Sequence, residues 1–170
     1  MDNAGKYMSR LRILLCKFCG MMTSTDRCPA CLRSRQWVSL QELLGGHDKE
    51  PEHAVELTAE VLTNLAILGE RVNKLLSWAM PLLPEFECVV TSGWRPESYN
   101  KAIGGAPGSK HIRGMAVDIL DEKGLLNGLL KQNVKKLEEL DLAIEAREAT
   151  PSWCHIQVGA PKSGHRVFFP

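Results

Sequence analysis

The chain has 170 residues, 44% of them hydrophobic, with a formal net charge of +1. That length supports one well-filled core and a small appended module. The near-neutral balance provides no global field toward nucleic acid or an anionic membrane, and no stretch is apolar for long enough to span a bilayer.

The N-terminus, Met1 to Lys6, does not open a signal peptide, and the apolar run Ile13-Leu14-Leu15 stops at a cysteine. A cytoplasmic product is expected. Six cysteines are present, four of them as two C-x-x-C pairs, Cys16/Cys19 and Cys28/Cys31, with eight residues between the pairs. In a reducing compartment this spacing favours metal over disulfides. Two such knuckles joined by a short hairpin predict a four-cysteine zinc ribbon holding a structural zinc. Cys88 and Cys154 read as small buried hydrophobes. Lys17, Arg27, Arg33 and Arg35, with Asp26 among them, are only a modest basic patch, so nucleic acid is not the expected partner.

The organisation expected is a ribbon module over 1–44, a linker over 45–54 and a second domain over 55–170. Gly45, Gly46 and Pro51 in a polar stretch suggest the linker. Residues 54 to 80 carry Val61, Leu65, Leu68, Val72, Leu75, Leu76 and Ala79 at helical spacing. They predict a scaffold helix, or two helices broken near Gly69, ended by Pro81 and Pro84. Residues 86 to 92 and 115 to 120 predict strands, separated by a Gly/Pro-bearing loop from 93 to 108. A helix follows over 122–139, weakened by Gly124, Gly128 and Asn133. Residues 140–145 and 154–158 predict two further strands. The fold class expected is α+β, a small antiparallel sheet flanked by helices.

His111, Asp118 and His155 stand out on this frame. Two imidazoles and a carboxylate fill three corners of a tetrahedron, and the open fourth corner suits hydrolysis. The seven-residue step from His111 to Asp118 excludes adjacent turns of one helix. It places His111 at the start of a strand and Asp118 within it, with Ala116 on the same face. His155 comes from a neighbouring strand, flanked on its face by Trp153 and Gln157.

The sequence Ser92-Gly93-Trp94-Arg95, then Ser109-Lys110-His111 with Asp118, then Trp153-Cys154-His155 matches S-G-[YW]-R, S-x-H-x(6)-D and a late W-x-H in order. Over roughly residues 55 to 160 the chain resembles the zinc D-alanyl-D-alanine carboxypeptidases and endolysin-type peptidases. Their fold is shared by the dipeptidase of vancomycin resistance and the hedgehog signalling domain. The resemblance implies that His111, Asp118 and His155 hold a catalytic zinc. It implies that Arg95 meets the substrate carbonyl or carboxylate, and that Ser109 lines the site. Many relatives place an acid three residues before the last histidine, where this chain has Ser152. Leu142-Ala143-Ile144-Glu145 and Thr150-Pro151-Ser152-Trp153-Cys154-His155-Ile156-Gln157 resemble a phage-like branch instead. Glu145 is then the expected general base, with Glu148 second.

The activity implied is hydrolysis of an amide in peptidoglycan stem peptides by a phage or prophage lysis protein. Such a protein would start in the host cytoplasm and reach the wall on release, or with a virion. The rival expectations are a binding module that contacts a partner or nucleic acid through the ribbon, and a structural phage part without turnover. His47, His53 and His165 are given no function.

Overall fold

A computed structural model describes residues 36–170 and, before them, the two-residue strands β1 (Leu14–Leu15) and β2 (Met22–Thr23). The chain divides into two units, Met1–Arg35 and Gln36–Pro170. In the first, β1 and β2 pair antiparallel, Leu14 with Thr23 and Leu15 with Met22. Cys16, Cys19, Cys28 and Cys31 lie outside the described residues.

The second unit begins with residues tied to the helix that forms its backbone support. Asn73 Oδ1 accepts from the Trp37 and Val38 amides at 2.6 and 3.0 Å, and its Nδ2 donates to Val38 O at 2.8 Å. Helix α1 (Leu40–Leu44) starts at a capping box. Glu42 N donates to Ser39 Oγ at 3.2 Å, and Ser39 N donates to Glu42 Oε2 at 2.7 Å. Leu43 and Leu44 are buried. Residues 45–54 are folded as tight turns: a 3-10 turn (His47–Lys49), then the single-turn α2 (Pro51–Ala54) with proline at its first position. The segment read from sequence as a linker is therefore ordered against the second unit's other elements, and that unit starts at Gln36.

Helix α3 (Ala59–Ala79) is capped by Thr58, whose Oγ1 accepts from Val61 N at 3.2 Å. All the apolar positions at helical spacing are buried, and every one except Val61 is without measurable exposure. Burying each large side chain contributes about 1.5–3 kcal/mol. Gly69 does not break the helix. It lies where Leu43 packs, 3.4 Å from the position a Cβ would take. A 3-10 turn at Met80–Leu82, containing Pro81, ends it.

Strands β3 (Val90–Ser92), β4 (Ala116–Leu120), β5 (Leu142–Glu145), β6 (Trp153–Val158) and β7 (Val167–Phe168) form one sheet in the order β3-β4-β6-β5-β7. Every neighbour is antiparallel except β5 with β7. Helix α4 (Glu97–Ala102) lies between β3 and β4, within the expected loop. The helical stretch after β4 is two helices, α5 (Leu125–Gln132) and α6 (Val134–Glu139), because Asn133 leaves helical geometry at φ −124°, ψ 48°. The start of α5 is held by buried Asp121, which accepts from the Leu126 and Asn127 amides at 3.3 and 2.8 Å. The architecture is α+β, with a five-stranded, mostly antiparallel sheet. Among the described residues, no helix is long and apolar enough to cross a membrane.

Candidate metal centre

The middle of the sheet sets two of the three donors. Asp118 on β4 is paired in register with His155 on β6. Directly paired residues project to the same face, so carboxylate and imidazole meet without any loop to position them. The third donor, His111, comes from a turn. Gly114 N donates to His111 O at 3.0 Å, and Gly114 sits at φ 66°. A Cβ there would also lie 2.9 Å from Leu65 Cγ and 3.0 Å from Val61 O. Positive φ and close approach to α3 together require glycine, and that bend brings His111 back toward β4.

His111, Asp118 and His155 are 2%, 5% and 7% exposed. His155 Nδ1 is 2.8 Å from Asp118 Oδ1, His111 Nε2 is 3.3 Å from the same oxygen, and the two nitrogens are 3.3 Å apart. A tetrahedral ion with ligands at about 2.0–2.1 Å has an edge of about 3.3 Å between neighbouring donors. Two of the three spacings, both 3.3 Å, match that edge, and the third, 2.8 Å, is shorter. The tautomer fits too: His111 Nδ1 faces Gly93 O at 2.6 Å, and as donor to that carbonyl it leaves the Nε2 lone pair aimed at the centre. This trio can hold a metal ion.

Burial alone would raise the carboxyl pKa of Asp118, but hydrogen bonds and charge from His111 and His155 outweigh it. The group is held well below the usual carboxylate range and stays ionised. At His155 burial favours the neutral ring, while the bond to Asp118 and its charge prevail and raise the pKa above 6.5.

Arg95 donates through Nη2 to Asp118 Oδ2 at 2.7 Å and through Nε to Ser92 Oγ at 2.8 Å. Asp118 thus has one oxygen at the centre and the other on a guanidinium. The expectation from resemblance had Arg95 on the substrate; in the structure its fork is turned to the carboxylate. Glu145 ends β5, which pairs with β6 through Ile144 and Ile156. One residue further along that register it faces His155, with Oε1 4.0 Å from Nε2. The order Asp118, His155, Glu145 therefore crosses three adjacent strands. Asn127 Nδ2 fixes the end of β5 by donating to Glu145 O at 2.9 Å. Glu148 is exposed and pairs with Lys131 at 3.7 Å. Ser109 Oγ accepts from His111 N at 3.3 Å, a role in shaping the turn. Cys154 is fully buried on β6, and burial pushes its thiol pKa well up. His165 is exposed near the C-terminus.

Sequence reasoning missed the Gly93 carbonyl, which backbone chemistry hides, and a grouping of His47, Glu50 and His53. Their regular spacing of three was the available signal.

Comparison with curated proteins and with solved structures gave no match. The family model described as peptidase M15 matches residues 46–157, more than half of the chain and spanning all three donors. Peptidases of this family use zinc, and the chain belongs to the peptidase M15 family.

Proposed function

We propose that this chain is a zinc peptidase that hydrolyses an amide bond in the peptide stems of peptidoglycan, with His111, Asp118 and His155 as the metal ligands. The observation that carries the reading is the convergence of three buried donor atoms at 2.8–3.3 Å within an M15 peptidase sequence. Zinc bound there would supply polarisation of the scissile carbonyl and activation of water. The chain's own residues do the rest. Gly93 O orients His111 so that Nε2 presents its lone pair. Arg95 is a positioning residue: it holds Asp118 Oδ2 and so directs Oδ1 inward. Glu145 receives the proton of the attacking water at its carboxylate and passes it to the leaving amine. Glu145 is preferred to Glu148 because the strand register sets it opposite His155, while Glu148 pairs with Lys131. Ser109 acts by shaping the turn that carries His111.

The N-terminal unit, with Cys16, Cys19, Cys28 and Cys31, is proposed as a zinc ribbon that directs the peptidase to its target or assembly. The peptidoglycan assignment is supported by the resemblance to wall-directed carboxypeptidases and endolysins, which also favours a phage lysis protein acting outside its compartment of synthesis.

The test is digestion of purified peptidoglycan with zinc-loaded protein and with His111→Ala, followed by mass spectrometry of the released fragments. New stem-peptide termini from wild type alone would establish the activity and identify the bond. Intact wall after treatment with zinc-loaded wild type would refute the substrate.

A further inference from the structure

A second cluster of metal-binding side chains lies in residues 46–54, outside the sheet. Gly46 takes φ 85°, which starts the turn His47–Lys49. Glu50 N then donates to His47 O at 3.3 Å, and His53 N donates to Glu50 O at 2.9 Å. Glu50, extended at φ −90° and ψ 116°, joins the 3-10 turn to α2, and the two turns bring the side chains of His47, Glu50 and His53 together.

Their donor atoms converge. His47 Nδ1 and His53 Nδ1 are 3.2 Å apart. His53 Nδ1 is 2.8 Å from Glu50 Oε2, and His47 Nδ1 is 3.8 Å from Glu50 Oε1. Hydrogen bonding alone does not satisfy this triangle. An imidazole nitrogen carries either a proton or a lone pair. If the proton of His53 Nδ1 goes to Glu50, the lone pair of His47 Nδ1 can share it only in a bent, three-centre bond. If both nitrogens are protonated, two N–H groups face each other at 3.2 Å. One divalent ion at the centre satisfies all three donors: the 3.2 Å between the two nitrogens is near the tetrahedral edge of about 3.3 Å, and Glu50 turns Oε2 to His53 and Oε1 to His47.

The two rings are shielded from solvent, while the Glu50 side chain is exposed. His53 is buried and His47 partly so. Asp48 adds negative charge and has a buried Oδ1 without a hydrogen-bond partner among the described residues. The rings are fixed by packing: His47 lies 4.5 Å from Tyr99 and 6.2 Å, edge-on, from Trp94, and His53 lies 5.9 Å from Tyr99.

We propose that His47, Glu50 and His53 form a second metal site, for a borderline divalent transition ion such as zinc. Two imidazoles and one carboxylate are the ligand class such ions prefer over magnesium or calcium. The ion would be structural. It would clamp residues 46–54 onto Trp94, the neighbour of the glycine whose carbonyl orients His111.

The test counts zinc in the full chain after loading and exhaustive dialysis. The variants are the double substitution His47→Gln/Glu50→Gln, chosen at the less buried positions, and His111→Gln. The double variant should carry one zinc fewer than wild type, and combining it with His111→Gln should remove a second. Equal zinc in wild type and a folded double variant would overturn the proposal. If the double variant does not fold, cobalt-loaded His111→Gln decides. Visible ligand-field bands beyond those accompanied by near-ultraviolet thiolate charge transfer support the site. Thiolate-type bands alone, or no bands, overturn it.

Discussion

Replacing Gly93 with alanine would put a methyl group where α1 already lies. The new Cβ would be 2.1 Å from Leu43 O and 2.7 Å from Leu43 C and Cα. These are backbone atoms, so no side chain can swing aside. Gly93 does not use the left-handed region, so the cost is collision and not backbone strain. Relief requires the end of α1 and the strand end to separate, which breaks the bond from Trp94 N to Leu43 O at 2.6 Å. Overpacking of this kind costs about 1–3 kcal/mol, and the lost hydrogen bond adds about 1 kcal/mol, for about 2–4 kcal/mol in all. The same movement shifts Gly93 O away from His111 Nδ1, now 2.6 Å distant. Loss of such an outer contact lowers metal affinity by about 10- to 100-fold. Urea unfolding of metal-free protein measures the first effect. Competition with a chromophoric chelator, taken as the difference from His111→Ala, measures the second. A stability change below about 0.5 kcal/mol with unchanged zinc affinity would refute the packing argument, since surface substitutions already span that range.

Gly128→Ala supplies the opposite sign: a Cβ there meets nothing within 4 Å inside α5, so thermal unfolding should show a gain of about 0.8–1 kcal/mol. Asp121→Ala removes the buried acceptor of two α5 amides and should cost about 1–3 kcal/mol by the same measurement. Glu145→Gln should lower kcat by about 10²- to 10⁴-fold with zinc content unchanged; loss of zinc with kcat per bound zinc preserved would make Glu145 a partner of His155 only. A proton competes with metal at His155, whose pKa is raised above 6.5, while Asp118 stays ionised. Zinc affinity should therefore rise with pH through the raised value, about tenfold per unit below it, and level off above. In metal-free protein the sign reverses. The His155–Asp118 pair stabilises the fold below pH 6.5, and that contribution is lost as pH rises through the folded-state value. Chelator titrations and urea unfolding across about pH 5.5 to 8.5 check both signs.

The parts of the fold legible in sequence were those written as periodic burial or as strand-forming runs. The stripe from Val61 to Ala79 is the buried face of α3, while β4 and β6, buried along nearly their whole length, were legible as short runs of strand-forming residues. The expected strand from 86 onward shortens to Val90–Ser92, because only those residues form ladder pairs with β4. β7 was invisible: two residues at its edge position are recruited by β5, with no pattern of their own. The linker reading of 45–54 failed to anticipate order because Gly, Pro and charged residues build tight turns as readily as they build flexible connections. The convergence of His111, Asp118 and His155 was legible because of their combined spacing. The direction of Arg95 was not, since a motif records which residues are present and not which partner a guanidinium chooses.

The cross-strand pairing of Asp118 with His155 has a consequence for how the molecule folds. A slip of one residue between β4 and β6 would turn one of the two donors to the opposite face, and no metal could then be held by both. Metal capture thus tests strand alignment. A chain that pairs these strands out of step forfeits the ion's binding energy, while the aligned chain keeps it. The ion proposed as the agent of hydrolysis would therefore also act earlier in the protein's life, as a proofreader that rewards one sheet over its near copies.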